Sequence, residues 1–318
     1  MDATAFILNP MARSGRARTR LEAVRSFARE RLPKARLFAT EAPGHASLLA
    51  QEAGRAGVRR LFSVGGDGTF NEVVNGVMAL PPEARPAVGL VSAGTGRDFF
   101  RHLAEIFTFP KDDSWILEAK EVPADVGRAE LGYANGPVVR YYMNIADAGI
   151  SGEVVRRVAG SRKRLGSLEY LKSTLQAVWS YRAPRVKIRI LETGGSTWEK
   201  DMVLLIAVAA NSRYFGGGMC IAPGAEIDDG KFFLMTAERV GYFSLLRRLP
   251  SLYAKKKLKH PRIHYAEGTR MEIVSYTGDL PIGLDGEFLR APRVSFELVP
   301  RALRILVPAA NTRPFSPA

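Results

Sequence analysis

The sequence predicts two domains of different class: a parallel α/β domain over residues 1–123 and a mainly antiparallel β domain over 124–307, with a tail at 308–318. Three observations carry this prediction. Strand, turn and helix alternate through the first third of the chain, which implies a parallel sheet with right-handed crossovers and helices on both faces. Strand-like runs then dominate, in the manner of a sandwich or barrel. The acidic glycine turns fall after the third and fourth strands, where a parallel sheet binds ligands, so a cleft between the domains is expected to hold the site.

Residues 5–8 read as the first strand and 9–15 as a loop into an arginine-rich helix that ends near Leu32. A second strand at 35–40 precedes a helix at 44–56. The third unit, residues 61–76 (LFSVGGDGTFNEVVNG), is an apolar strand, a turn of three glycines around Asp67, and a helix start. Gly65, Gly66 and Gly68 let backbone N–H groups approach an anion, and the helix behind them aims its positive end at the same place. Thr69 and Glu72 have the spacing of a capping box, which starts the helix at this turn. Asp67 would repel phosphate unless a divalent cation lay between them, so the turn suggests Mg²⁺ and phosphoryl transfer. The fourth unit is a strand at 87–92, the turn 93–98 (AGTGRD) and a helix through about Leu103.

Residues 111–122 read as a polar connection with a helical turn. Strands are expected at 125–131, 138–146, 186–191, 202–210, 232–236, 270–275, 294–299 and 303–307, with helices at 151–159, 167–179 and 241–257. The last helix carries a basic amphipathic pattern suited either to an anionic membrane or to an ordinary core face. Asp228-Asp229-Gly230 and Asp285-Gly286-Glu287 each read as a tight turn or as a carboxylate site.

The composition excludes several classes. Cys220 is the one cysteine, so there is no internal disulfide and no cysteine-based zinc cluster, which fits a reducing compartment. No apolar run approaches the ~20 residues a bilayer requires, and a cytoplasmic protein is expected. Forty-six basic against 32 acidic residues leave +14, a field that favours anionic lipid, nucleic acid or phosphorylated substrates. Neither the P-loop pattern nor G-x-G-x-x-G is present, which excludes a P-loop NTPase and a simple dehydrogenase.

Across nearly the whole chain the motifs resemble the bacterial diacylglycerol kinase-like lipid kinases, relatives of sphingosine and ceramide kinases. They are NP…SG at 9–15, GGDGT-x-NEVVNG at 65–76, GTG-x-D at 94–98, N-x-x-x-x-G at 144–149, GSLEY at 166–170, N…GGG…AP-x-A…DDG at 211–230 and DGE at 285–287. GGDGT alone is shared with NAD kinases and phosphofructokinases; its continuation into NEVVNG is more specific.

The resemblance implies a Rossmann-like, NAD kinase-like and phosphofructokinase-like first domain and a lipid-binding β domain. It also implies ATP and Mg²⁺ as cofactors. Asn9, Pro10, Ser14, Gly15, Thr40, Gly65, Gly66, Asp67, Gly68, Thr69, Phe70, Asn71 and Thr95 match nucleotide-binding positions. Asp67 and Asp98 match acidic residues that organise Mg²⁺, Glu287 the proton acceptor, and Asp285 its support. Glu226, Asp229 and Lys231 match a separate Mg²⁺ site, and Lys163 and Arg164 match basic residues near the cleft. Arg97 replaces the family's usual Asn, which places a guanidinium beside Asp98. The implied reaction is transfer of the ATP γ-phosphoryl group to a lipid alcohol by a peripheral protein at the inner face of the membrane, with nucleic acid not expected as a partner and a homodimer left open. The alternatives are an NAD kinase and a catalytically silent basic scaffold for lipid or nucleic acid.

Overall fold

The computed structural model describes residues 3–10, 15–93, 97–160, 176 and 179–309. The chain divides into two compact units. The first takes the chain to Val126, together with Ile227–Asp229 and the chain from Val299; the second takes Gly127–Glu226 and Gly230–Leu298.

The first unit is built on parallel strands β1 (Thr4–Leu8), β2 (Arg36–Ala39), β3 (Arg60–Gly65) and β4 (Ala87–Ser92), ordered β4-β3-β1-β2. β1 is wholly buried and β3 and β4 nearly so, because a parallel sheet covered on both faces needs apolar residues without alternation. Phe6, Phe62, Val64 and Val91 pack with Leu21, Val24 and Ala28 of α1 (Gly15–Arg31) and with Trp115. The helices α2 (His45–Arg55), α3 (Asp67–Met78) and α4 (Asp98–Ile106) follow β2, β3 and β4.

The capping expectation at α3 fails in an informative way. Its N-cap is Gly66, with no side-chain cap, and Thr69 lies within the first turn. Glu72 instead accepts the Ala46 N–H at 3.2 Å and so caps α2, whose own N-cap Gly44 lacks a side chain. Gly76 completes the contact: a Cβ there would meet the Ser47 carbonyl oxygen at 2.2 Å. Much of NEVVNG therefore serves helix packing.

The second unit is antiparallel. Strands β7 (Ile145–Gly149), β8 (Arg185–Glu192), β9 (Thr197–Ala210), β12 (Phe232–Glu238) and β13 (Ile263–Ser275) surround a core that includes Ala146, Ile188, Leu204, Leu234 and Met271. β9 pairs with β8 along its first half and with β7 and β12 along its second, while β13 joins β12 to β8. Strands β8, β9, β12 and β13 thus close a barrel-like circuit. Two-residue strands β10 (Tyr214–Phe215) and β11 (Met219–Cys220) form a small hairpin.

Several boundaries differ from the sequence expectation. The single strand expected at 138–146 is two, β6 (Gly136–Tyr142) and β7, because Met143, Asn144 and Ile145 all turn their N–H groups to one carboxylate. The separate strands at 294–299 and 303–307 are one, β16 (Arg293–Val307), which passes Arg301 at φ 50. There Asp125, on β5 (Lys120–Tyr133), accepts the Arg301 N–H at 2.7 Å. β14 (Leu280–Leu284) and β15 (Glu287–Ala291) were not expected, since Pro281 and Gly283 are poor strand formers. The basic helix α6 (Tyr242–Tyr253) stops before the lysine run, where Lys255 takes φ 55. The 151–159 expectation matches α5 (Ile150–Gly160). The 167–179 helix and the tail fall mostly outside the described residues, as do Ser14, Thr95, Lys163 and Arg164.

Candidate active site

In the first unit the site residues are tied together at the carboxyl ends of the strands. Asn9 donates its N–H to the Val64 carbonyl at 3.1 Å and its side-chain amide to Thr69 Oγ1 at 2.8 Å, which fastens the first loop to the glycine turn. The Ala93 N–H donates to the Gly65 carbonyl at 2.8 Å, and the Asp98 N–H donates to Asp67 Oδ2 at 2.9 Å. Three loops, after β1, β3 and β4, are so held in one arrangement. Phe70 stacks on Phe99 behind them at 5.2 Å.

The glycines divide by role. A Cβ on Gly65 would lie 2.7 Å from Thr69 Oγ1, so that glycine serves the turn's own packing. Gly68 borders open space, the room an anion approaching the first turn of α3 would use. Thr40 is buried and its N–H bonds the Leu8 carbonyl at 2.9 Å; Asn71 is buried and receives the Asn75 amide at 2.9 and 3.0 Å. Pro10 is exposed, and Gly15 opens α1.

Asp98 is buried at the start of α4, and its Oδ1 accepts from Arg101 at 3.1 Å. The i, i+3 spacing within α4 was the signal for this pair. Asp67 and Asp98 are hard oxygen donors of the kind Mg²⁺ takes, and Mg²⁺ is usually held by one or two carboxylates plus substrate phosphates. The residues fit that ion. Among the described residues no group of three or more His, Cys, Asp or Glu could hold a metal.

In the second unit, Asp285 and Gly286 form a two-residue hairpin turn, both with positive φ, between the paired residues Leu284 and Glu287. The Asp285 carboxylate accepts the N–H groups of Met143, Asn144 and Ile145 at 2.9, 3.0 and 2.9 Å, while its own N–H returns to the Ile145 carbonyl at 3.1 Å. Glu287 is exposed at the end of the same turn. One carboxylate clamps the hairpin; the other belongs to an exposed residue.

Glu226 pairs with Arg213, and Lys231 with Glu267. Asp229 belongs to the short stretch counted with the first unit.

Sequence reading missed Asp147 on β7. Only 5% exposed, it accepts from the Ser151 hydroxyl and the Gly283 N–H, and burial pushes its carboxyl up to about 7. Gly283 is glycine for a reason, since its Cβ would meet Asp147 Oδ2 at 2.7 Å.

Glycine and aspartate turns on a parallel sheet in one unit, and an exposed carboxylate on a hairpin of the other, are the parts of a phosphotransferase. The model of the diacylglycerol kinase catalytic domain matches residues 3–129, and that of the YegS C-terminal NAD kinase beta sandwich-like domain matches 144–307. The chain is similar to the diacylglycerol kinase of Bacillus subtilis (strain 168), 30% identical over 231 residues that cover 72% of this chain and 71% of the relative. The crystal structure of a diacylglycerol kinase from Bacillus anthracis aligns with a TM-score of 0.69 at 21% identity, covering 98% of both chains. A yeast NADH kinase complexed with NADH shares the fold with a TM-score of 0.56 at 12% identity, over 98% of this chain and 84% of that one. The chain belongs to the diacylglycerol kinase family of lipid kinases, whose membership implies ATP as phosphoryl donor.

Proposed function

We propose that the protein transfers the γ-phosphoryl group of ATP to the hydroxyl of diacylglycerol or a related lipid alcohol, with Glu287 as the proton acceptor. The carrying observation is the DGE hairpin. Three N–H groups hold Asp285, so the turn is rigid, and Glu287 is mounted on it with its side chain exposed. A base fixed by its backbone on an exposed turn can meet a substrate hydroxyl. The family and the name of the Bacillus subtilis relative support this substrate class.

Asp67 and Asp98 would hold Mg²⁺, which when bound neutralises charge on the nucleotide phosphates. The glycine turn would hold phosphate oxygens by backbone N–H groups at the start of α3. Asn9 and Thr69 position that turn by their mutual hydrogen bond. The lipid substrate places the enzyme at an anionic membrane surface as a peripheral protein; among the described residues, no helix is long and apolar enough to cross a membrane.

The test is Glu287→Gln assayed with radiolabelled ATP and dispersed diacylglycerol, with lipid and aqueous fractions counted separately. Loss of the base should lower turnover by about 10² to 10⁴ with an unchanged melting temperature. Full turnover by the variant would remove Glu287 from the role. In a parallel assay of the parent chain supplied with both NAD and diacylglycerol, label found only in the dinucleotide would favour an NAD kinase.

A further inference from the structure

We propose that the face of the antiparallel unit marked by Trp179 and Tyr253 docks on an anionic lipid bilayer. This deepens the lipid kinase reading by naming the surface that meets the membrane. Trp179 is 80% exposed and Tyr253 61%, large exposures for side chains of that size.

Chain neighbours of both rings pack into one apolar cluster. Tyr181, two residues after Trp179, and Leu252, directly before Tyr253, pack into the cluster of Leu205, Ile206 and Phe233. Each flank is anchored. Tyr181 donates its hydroxyl to the Leu204 carbonyl at 3.2 Å. On the other side, the Leu258 N–H donates to the Tyr265 hydroxyl at 2.8 Å, and Lys257 Nζ lies 5.0 Å from the Phe233 ring centre. The exposed rings therefore stand on packed chain.

The chain that flanks each ring is basic, and Glu153, linked toward Trp179 through Arg157 and Ser180, is paired with Arg156 and Arg157. No acidic residue occurs between Glu169 and Glu192 or between Glu238 and Glu267. The first interval carries Arg182, Arg185, Lys187 and Arg189; the second carries Arg247, Arg248, the lysines 255–257 and Lys259. Arg182, Arg247 and the three consecutive lysines are exposed. Tryptophan and tyrosine favour the headgroup layer, where each ring keeps its polar end wet, and nearby lysine and arginine are drawn to anionic lipid. Aromatic anchors within a basic rim match a bilayer surface in both respects.

The experiment uses vesicles of phosphatidylserine and phosphatidylcholine, without lipid alcohol and without nucleotide. Trp179→Ala and Tyr253→Ala should each lower co-sedimentation by roughly tenfold, while both variants phosphorylate detergent-dispersed diacylglycerol at the parent rate. In a chain carrying Trp115→Phe and Trp198→Phe, the emission of Trp179 should shift to shorter wavelength on vesicles and be quenched by brominated acyl chains. Unchanged co-sedimentation of both variants overturns the proposal, as does equal binding to phosphatidylcholine alone. A Trp179→Ala chain that keeps its vesicle binding but loses self-association would assign the face to a second copy and overturn it too. Because no transfer occurs in these mixtures, failure here is separable from failure of the kinase assay.

Discussion

Asp285 and Glu287 stand two residues apart on one turn and use their carboxylates differently. Asp285 has three backbone donors, 140 to 142 residues away in sequence. Replacing it with Asn removes a charged acceptor and strands buried N–H groups, which should cost about 1–3 kcal/mol in urea denaturation, where Glu287→Gln should cost little. Asp147 gives the protein a pH signature. Its carboxyl rises from an ordinary 3.8 to about 7, so the folded chain holds the proton more tightly than the unfolded chain. That contribution to stability is complete below about pH 4 and is lost as pH rises through about 7. Wild-type stability should therefore decline between pH 5 and pH 8 by on the order of a few kcal/mol, and Asp147→Asn should flatten the decline, as read from urea midpoints at the two pH values.

Among the elements, the pair α2 and α3 shows what NEVVNG accomplishes. Glu72 caps the helix before its own, and Gly76 lets the two backbones meet. Gly76→Ala would put a methyl 2.2 Å from the Ser47 carbonyl oxygen and 2.9 Å from Ala50 Cβ. Both neighbours are on helix backbone or next to it, so the helices must separate. The expected loss is about 1–3 kcal/mol in thermal or urea unfolding, with the glycine turn itself unchanged in sequence.

For the molecule as a whole, the parallel unit was legible because its strands are buried on both faces and punctuated by glycine turns, as at 61–76. The antiparallel class was legible from composition. What stayed hidden has physical reasons. Pro281 and Gly283 disguised β14, although the turn at 285–287 that carries Glu287 was legible from its Asp-Gly pair. Pro300 and Arg301 made one long strand look like two. The Asp285 clamp and the Glu72 cap join residues with no local signal between them, whereas Asp67, Asp98 and their glycines announce themselves by spacing alone. The pairing of Ile305 with Val88 and of Leu306 with Gly89 belongs to the hidden kind, and it bears on synthesis. As the ribosome delivers the chain, β4 appears early, but its outer partner follows only some 217 residues later, the interval from 88 to 305. At ~5–20 residues per second, an apolar edge stays uncovered for about 10–40 s. The nascent nucleotide unit must be shielded through that interval, and a ribosome stalled after the β domain would leave behind a product prone to edge-to-edge association.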